Sequence, residues 1–139
     1  RLVAEGSRLG QPEINLGIMP GFGGTQRLPR IVGQSKALEL ILTGDSISAQ
    51  EAKSLGLVSQ VIPPEDLLRQ AQGLARKMAS QSLPALRASL RAISRGADMT
   101  LPEGLAMEAR LFGGLCESED KREGLAAFLE KRQPQFTDR

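Results

Sequence analysis

"GQPEINLGIMPGFGGTQRLPRIVG", residues 10–33, sets one carboxylate among apolar neighbours and then crowds glycines 21, 23 and 24 ahead of a short apolar run. Gln11 precedes Pro12, which disfavours helix at Gln11 and predicts an extended or turning segment. "GGTQRLPRIVG" reads as a short helix entered through glycines and closed by Gly33, with Pro29 placed awkwardly inside it. Glycines at a helix entry let the backbone approach a ligand closely, and free amides there can bind a water or an oxyanion. A helix-entry turn with no ligand is the plainer reading. This is not a phosphate loop of the Walker type, because Thr25, Gln26 and Arg27 follow Gly24 where Lys and then Ser or Thr are needed. Nor does the glycine spacing fit the dinucleotide fingerprint, G-x-G-x-x-G after a strand.

Glu13 lies between Pro12, which stiffens the local backbone, and the apolar Ile14 and Leu16. A carboxylate in rigid, apolar surroundings suits proton transfer, although a surface glutamate at a turn is the commoner arrangement.

The composition narrows the chemistry further. With no His and a single cysteine, Cys116, the chain can form no internal disulfide, thiolate metal cluster, Ser-His triad or Cys-His pair. Acid/base work therefore falls to carboxylates, or less readily to Lys or Cys116, and no metal site is expected. Cysteine usage fits a reducing compartment. At 40% hydrophobic and 24% charged, the chain is globular rather than disordered, and no apolar run approaches the roughly 20 residues of a membrane span. Arg87, Arg91 and Arg95 recur every four residues and would line one helical face. Without Tyr or Trp there is no aromatic stacking platform, so a solvated face is the better reading and nucleic-acid binding is disfavoured.

Organisation changes once, near residue 63. "RLVAE" and "LVSQVI" read as strands. Ser35 is expected to cap a helix that stops at Gly44, and Ser48 with Glu51 forms a capping box for a helix that stops at Gly56. Four helices then follow Pro64, with apolar stripes through Leu74 and Met78, Leu86 and Leu90, Leu101 with Leu105 and Phe112, and Leu125 with Phe128 and Leu129. Thr100 with Glu103 makes a second capping box, and Ser118 caps the last helix. Two strands are too few for a self-sufficient sheet, and the chain opens on a strand-like phrase without Met, as if cut from something longer.

The stretch 10–33, "LTGDSISAQEAKSLGLVSQVIP" after it and the late phrase "REGLAAFLEKRQPQF" together resemble the crotonase superfamily of enoyl-CoA hydratases and isomerases. Order and spacing agree along essentially the whole chain, which corresponds to the C-terminal half of a family member. The resemblance implies an α/β fold: the last part of a crotonase-like ββα spiral over residues 1–63, then an α-helical trimerisation and CoA-contacting region over 64–139. It implies a lyase that hydrates 2-enoyl-CoA thioesters in fatty-acid or amino-acid catabolism. The alternatives are a Δ3,Δ2-enoyl-CoA isomerase and a non-catalytic assembly or RNA-contacting relative.

By the same resemblance, Glu13 matches the second catalytic glutamate and Gly21 the glycine whose backbone faces the reacting region. Phe112 and Lys131 match contacts to coenzyme A, which is part of the substrate; no separate cofactor is expected. The two oxyanion amides and the first glutamate of a hydratase belong to the other half, so the 139-residue chain alone is expected to be inactive. Expected partners are the acyl-CoA substrate and copies of the chain itself, as a trimer or a dimer of trimers, in the cytoplasm or, in a eukaryote, the mitochondrial matrix.

Overall fold

In the computed structural model, which describes residues 1–139, strand β1 (Leu2–Ala4) is followed by β2 (Arg8–Gly10) and a 3₁₀ turn over Pro12–Leu16. Helices α1 (Gly24–Val32) and α2 (Gln34–Thr43) come next, then β3 (Ser46–Ser48), α3 (Ala49–Ser54) and β4 (Gln60–Ile62). A second 3₁₀ turn, Pro64–Asp66, leads into α4 (Leu67–Ala79), α5 (Leu83–Gly96), α6 (Leu101–Leu115) and α7 (Glu119–Leu129). The chain divides into two compact units, Arg1–Gln72 and Gly73–Arg139, with the boundary inside α4.

In the first unit β1 runs parallel to β4 with Val3 opposite Val61, and β2 runs antiparallel to β3 with Leu9 opposite Ile47. The β2–β3 pair was not foreseen: each strand is three residues long, and alternation over three positions carries almost no signal. Helix residues Leu28, Ala37, Leu40 and Ala52 form a core with Ile47 of β3 and Val58, and half-buried Val3, Leu9 and Val61 pack against it.

Local chemistry explains most boundaries. Gly44, at φ 72°, ends α2 as expected, its amide returning to the Leu40 carbonyl at 3.1 Å. The start of α2 differs from expectation, since Gly33 both closes α1 and caps α2. The Gly33 carbonyl takes the Ala37 amide at 3.1 Å, which puts Ser35 inside the helix. Ser48 Oγ accepts from the Glu51 amide at 3.1 Å, but the Glu51 carboxylate pairs with Lys36 at 2.8 Å instead of returning to Ser48. That pair ties α3 to α2.

In the second unit α5 packs on α6, and the Glu103 carboxylate accepts from both the amide and the hydroxyl of Thr100 at 3.0 and 2.7 Å. The buried residues here are Ser82, Met107, Asp120 and Ala127. On α7 the buried face is therefore Asp120 and Ala127, seven residues apart, whereas the apolar stripe of Leu125, Phe128 and Leu129 lies exposed. Leu101, Leu105 and Phe112 of α6 are exposed too. No helix is long and apolar enough to cross a membrane.

Candidate functional site

Glu13 sits on the 3₁₀ turn that Pro12 opens and Gly17, at φ 73°, closes. Gln11 stays out of helix at φ −132°, ψ 78°, as a residue before proline should. The turn is approached from two sides by glycines, whose missing Cβ atoms let its side chains come close. A Cβ on Gly24, the first residue of α1, would lie 2.9 Å from both the Gln11 side chain and Pro20, and one on Gly44 would lie 2.7 Å from the Asn15 amide nitrogen. The side chains of the turn thus lie close against the start of α1 and the end of α2.

On this turn Glu13 is half-buried, and its Oε2 is shielded from solvent with no hydrogen-bond partner. An oxygen in that state lacks both water and a protein donor, an arrangement that costs free energy until a proton or a donor atom arrives. Asp120 Oδ2 in the second unit is shielded and unpartnered in the same way, but the other oxygen of Asp120 is taken up by backbone amides, whereas the Glu13 side chain has no partner at all.

Gly21 stands on the loop that leaves the turn and enters α1. It is exposed, with open space where a side chain would be, so packing within this unit does not require glycine there. Leu16 at the end of the turn and loop residues Ile18, Met19 and Phe22 present apolar side chains outward, Phe22 at 95% exposure. Arg27 folds back over Gly23 and donates to the Phe22 carbonyl at 2.6 Å. The glycine-rich stretch thus joins the turn that carries Glu13 to α1, with Gly21 at its start.

Phe112 and Lys131 belong to the second unit. Phe112 is 69% exposed on α6 and lines a cavity of about 320 Å³ together with Ala85, Cys116 and Phe136. Lys131 lies just beyond α7 in the left-handed region, φ 55°. Its amide returns to the Phe128 carbonyl at 3.3 Å and that of Arg132 to the Ala127 carbonyl at 3.0 Å, the paired bonds of a Schellman closure. Lysine stands where such closures usually place glycine.

Sequence reasoning read Gln11 only as the residue before Pro12 and passed over Asn15, Asp120 and Glu123. The first two hold the glutamate turn against glycines remote in sequence, and the last two receive backbone amides of residues 135–138. Of the glycines that Gln11 and Asn15 meet, Gly24 was legible as a helix entry and Gly44 as a helix stop.

The enoyl-CoA hydratase/isomerase family model matches residues 1–139. The chain belongs to the enoyl-CoA hydratase/isomerase family. A relative in Rhizobium meliloti named "probable enoyl-CoA hydratase" is 50% identical over 138 residues, covering 99% of this chain and 54% of the relative. The 2,3-dehydroadipyl-CoA hydratase of Escherichia coli is 49% identical over the same coverage. Among solved structures, an enoyl-CoA hydratase from Bacillus anthracis superposes with a TM-score of 0.97 at 47% identity, covering 100% of this chain and 54% of that one. The expected crotonase-type α/β fold is borne out by that likeness. The chain spans about half the length of the family members it matches.

Proposed function

We propose that this chain forms the C-terminal half of an enoyl-CoA hydratase and supplies one of its two acid/base carboxylates. The observation that carries this reading is Glu13: a carboxylate oxygen shielded from water and left without a donor, on a turn packed closely against two helices, in a chain that matches the family along its full length. In the hydration of a 2-enoyl thioester, the oxygen of water bonds to C3 and a proton is delivered to C2. The Glu13 carboxyl exchanges that proton, and a second glutamate outside these residues handles the water. Gly21, exposed and with open space where a side chain would be, faces the reacting region in this reading. The thioester oxygen is held by amides outside these residues, a contribution of the order of 10²–10³ in rate per donor.

A second reading has support in the family itself, which joins hydratases and isomerases. Shifting a double bond needs one base that removes a proton at one carbon and returns it at another, and Glu13 alone can do this. Phe112 and Lys131 serve as contacts for coenzyme A, the lysine as a point charge for a phosphate. The exposed apolar stripes of α6 and α7 are covered by further copies of the protein in a trimer or a dimer of trimers. The deciding assay supplies the full-length protein with crotonyl-CoA and, separately, with a 3-enoyl-CoA. Hydration of the first is expected. Turnover of the second alone would replace hydratase with isomerase, and turnover of neither would overturn both.

A further inference from the structure

Beyond α7, residues 130–139 double back along the helix, and two of its carboxylates, one turn apart, hold them there. Glu123 takes two guanidinium nitrogens of Arg132, at 2.6 and 2.9 Å, and the amide of Gln135 at 2.7 Å. Asp120, only 3% exposed, accepts the amides of Thr137 at 2.8 Å and Asp138 at 3.2 Å, while its own amide donates to the Arg139 carbonyl at 3.0 Å. Asp138 in turn accepts from the Leu83 amide at 2.9 Å, which anchors the returning segment to the first turn of α5.

Lys131 is the corner of this hairpin. Its left-handed backbone is one that glycine adopts freely and lysine does not. Closing α7 does not require lysine; glycine would close it with less strain. What glycine cannot offer is an ammonium, and a side chain kept at a disfavoured backbone position points to a use for that side chain. The strain has to be held by the surroundings. The bidentate Arg132–Glu123 pair begins at the very next residue, and the Asp120 bonds fasten the rest of the segment. Without them, Lys131 can relax to negative φ, and its side chain then leaves the helix end in another direction.

We propose that Glu123 and Asp120 are positioning residues for substrate binding: by clasping residues 132–138 they hold Lys131 in its left-handed corner and so aim its ammonium at a phosphate of the coenzyme A thioester. The inference rests on the reading of Lys131 as a coenzyme A contact given above. It adds that the aim is set by two carboxylates that never meet the substrate.

The test uses the full-length protein and two substrates, crotonyl-CoA and crotonyl-pantetheine, which lacks the phosphates. Lys131→Gly keeps the corner and removes the ammonium. It should raise KM for crotonyl-CoA about 3- to 5-fold, the scale of a solvent-exposed ion pair, with kcat held and crotonyl-pantetheine unaffected. Glu123→Gln and Asp120→Asn should each reproduce that selective rise, and neither should add to it in a double variant with Lys131→Gly. If Lys131→Gly leaves KM unchanged, the coenzyme A reading of the lysine falls, and this inference with it. If Lys131→Gly raises KM but the carboxylate variants do not, or raise it equally for crotonyl-pantetheine, positioning is overturned and the lysine's role stands. Should Asp120→Asn fail to fold, Glu123→Gln, whose side chain is partly exposed, decides alone.

Discussion

The Asn15 side chain lies directly over Gly44, with its amide nitrogen 2.7 Å from where a Cβ would stand. One residue thus belongs to the turn that carries Glu13 and the other to the end of α2. Gly44→Ala meets two penalties, a left-handed φ of 72° and the Asn15 amide. The expected loss is about 1–3 kcal/mol of stability, read as a lower Tm. Adding Asn15→Ala should return the steric part and leave the backbone part. If Gly44→Ala matches the parent's Tm, the close approach has no energetic weight.

Glu13→Gln in the full-length protein keeps the size of the side chain and removes its capacity to exchange a proton. General acid/base groups are worth about 10²–10⁴ in rate, so the fall should appear in kcat while acyl-CoA affinity changes little. Steady-state kinetics beside a direct binding titration separates the two quantities. Retention of more than half the parent's kcat would make Glu13 a bystander.

The clasp on Glu123 has a pH signature. The Arg132 guanidinium, and then the Gln135 amide, draw the Glu123 carboxyl from the ordinary 4.5 down to about 2. The folded value lies below the unfolded one, so this contribution to stability is complete above about 4.5 and is lost as pH falls toward 2. Glu103, held low by the Thr100 hydroxyl and amide, acts in the same direction. For Asp120, burial pushes upward, but the Ser82 hydroxyl and the amides of Thr137, Asp138 and Arg139 outweigh it and hold the group below its usual value. Tm measured from pH 6 to pH 2 should therefore fall more steeply for the parent than for Glu123→Gln. Parallel curves would remove Glu123 from the acid response.

The exposed side chains of α7 make assembly testable. Leu129 and Phe128 are each 79% exposed beside a half-exposed Leu125, an apolar surface that copies of the protein would cover. The full-length protein should sediment as a trimer or a multiple of one, and Phe128→Asp should shift it toward smaller species. A monomer at micromolar concentration would end the proposal.

Features whose cause is local could be read from the sequence. Ser48 and Ser118 cap helices because each oxygen meets an amide three residues on, Thr100 because its amide and hydroxyl both donate to the Glu103 carboxylate three residues on, and Gly44 stops α2 because one residue needs positive φ. Ser35 misled because its signal is just as local, while Gly33 before it had already taken the cap. The β2–β3 pair was invisible because Leu9 finds its partner at Ile47. At the site, Glu13 could be singled out by its neighbours Pro12, Ile14 and Leu16, whereas the close packing of its turn depends on Gly24 and Gly44, which only the fold brings near. Asp120 reads as one more acid in a helix's first turn; its buried role depends on amides 17 and 18 residues further on.

The parallel pairing of Leu2–Ala4 with Gln60–Ile62 has a consequence during synthesis. Leu2 is translated 58 residues before its partner, since the register joins positions 2 and 60. At about 5–20 residues per second, β1 waits roughly 3–12 s for β4 to exist. The α1–α2 pair has no such delay and can form from neighbouring residues as they emerge. A nascent chain stalled once residue 45 has left the ribosome should therefore protect the amides of α2 from exchange while leaving β1 open, and β1 should become protected only once β4 has left the ribosome.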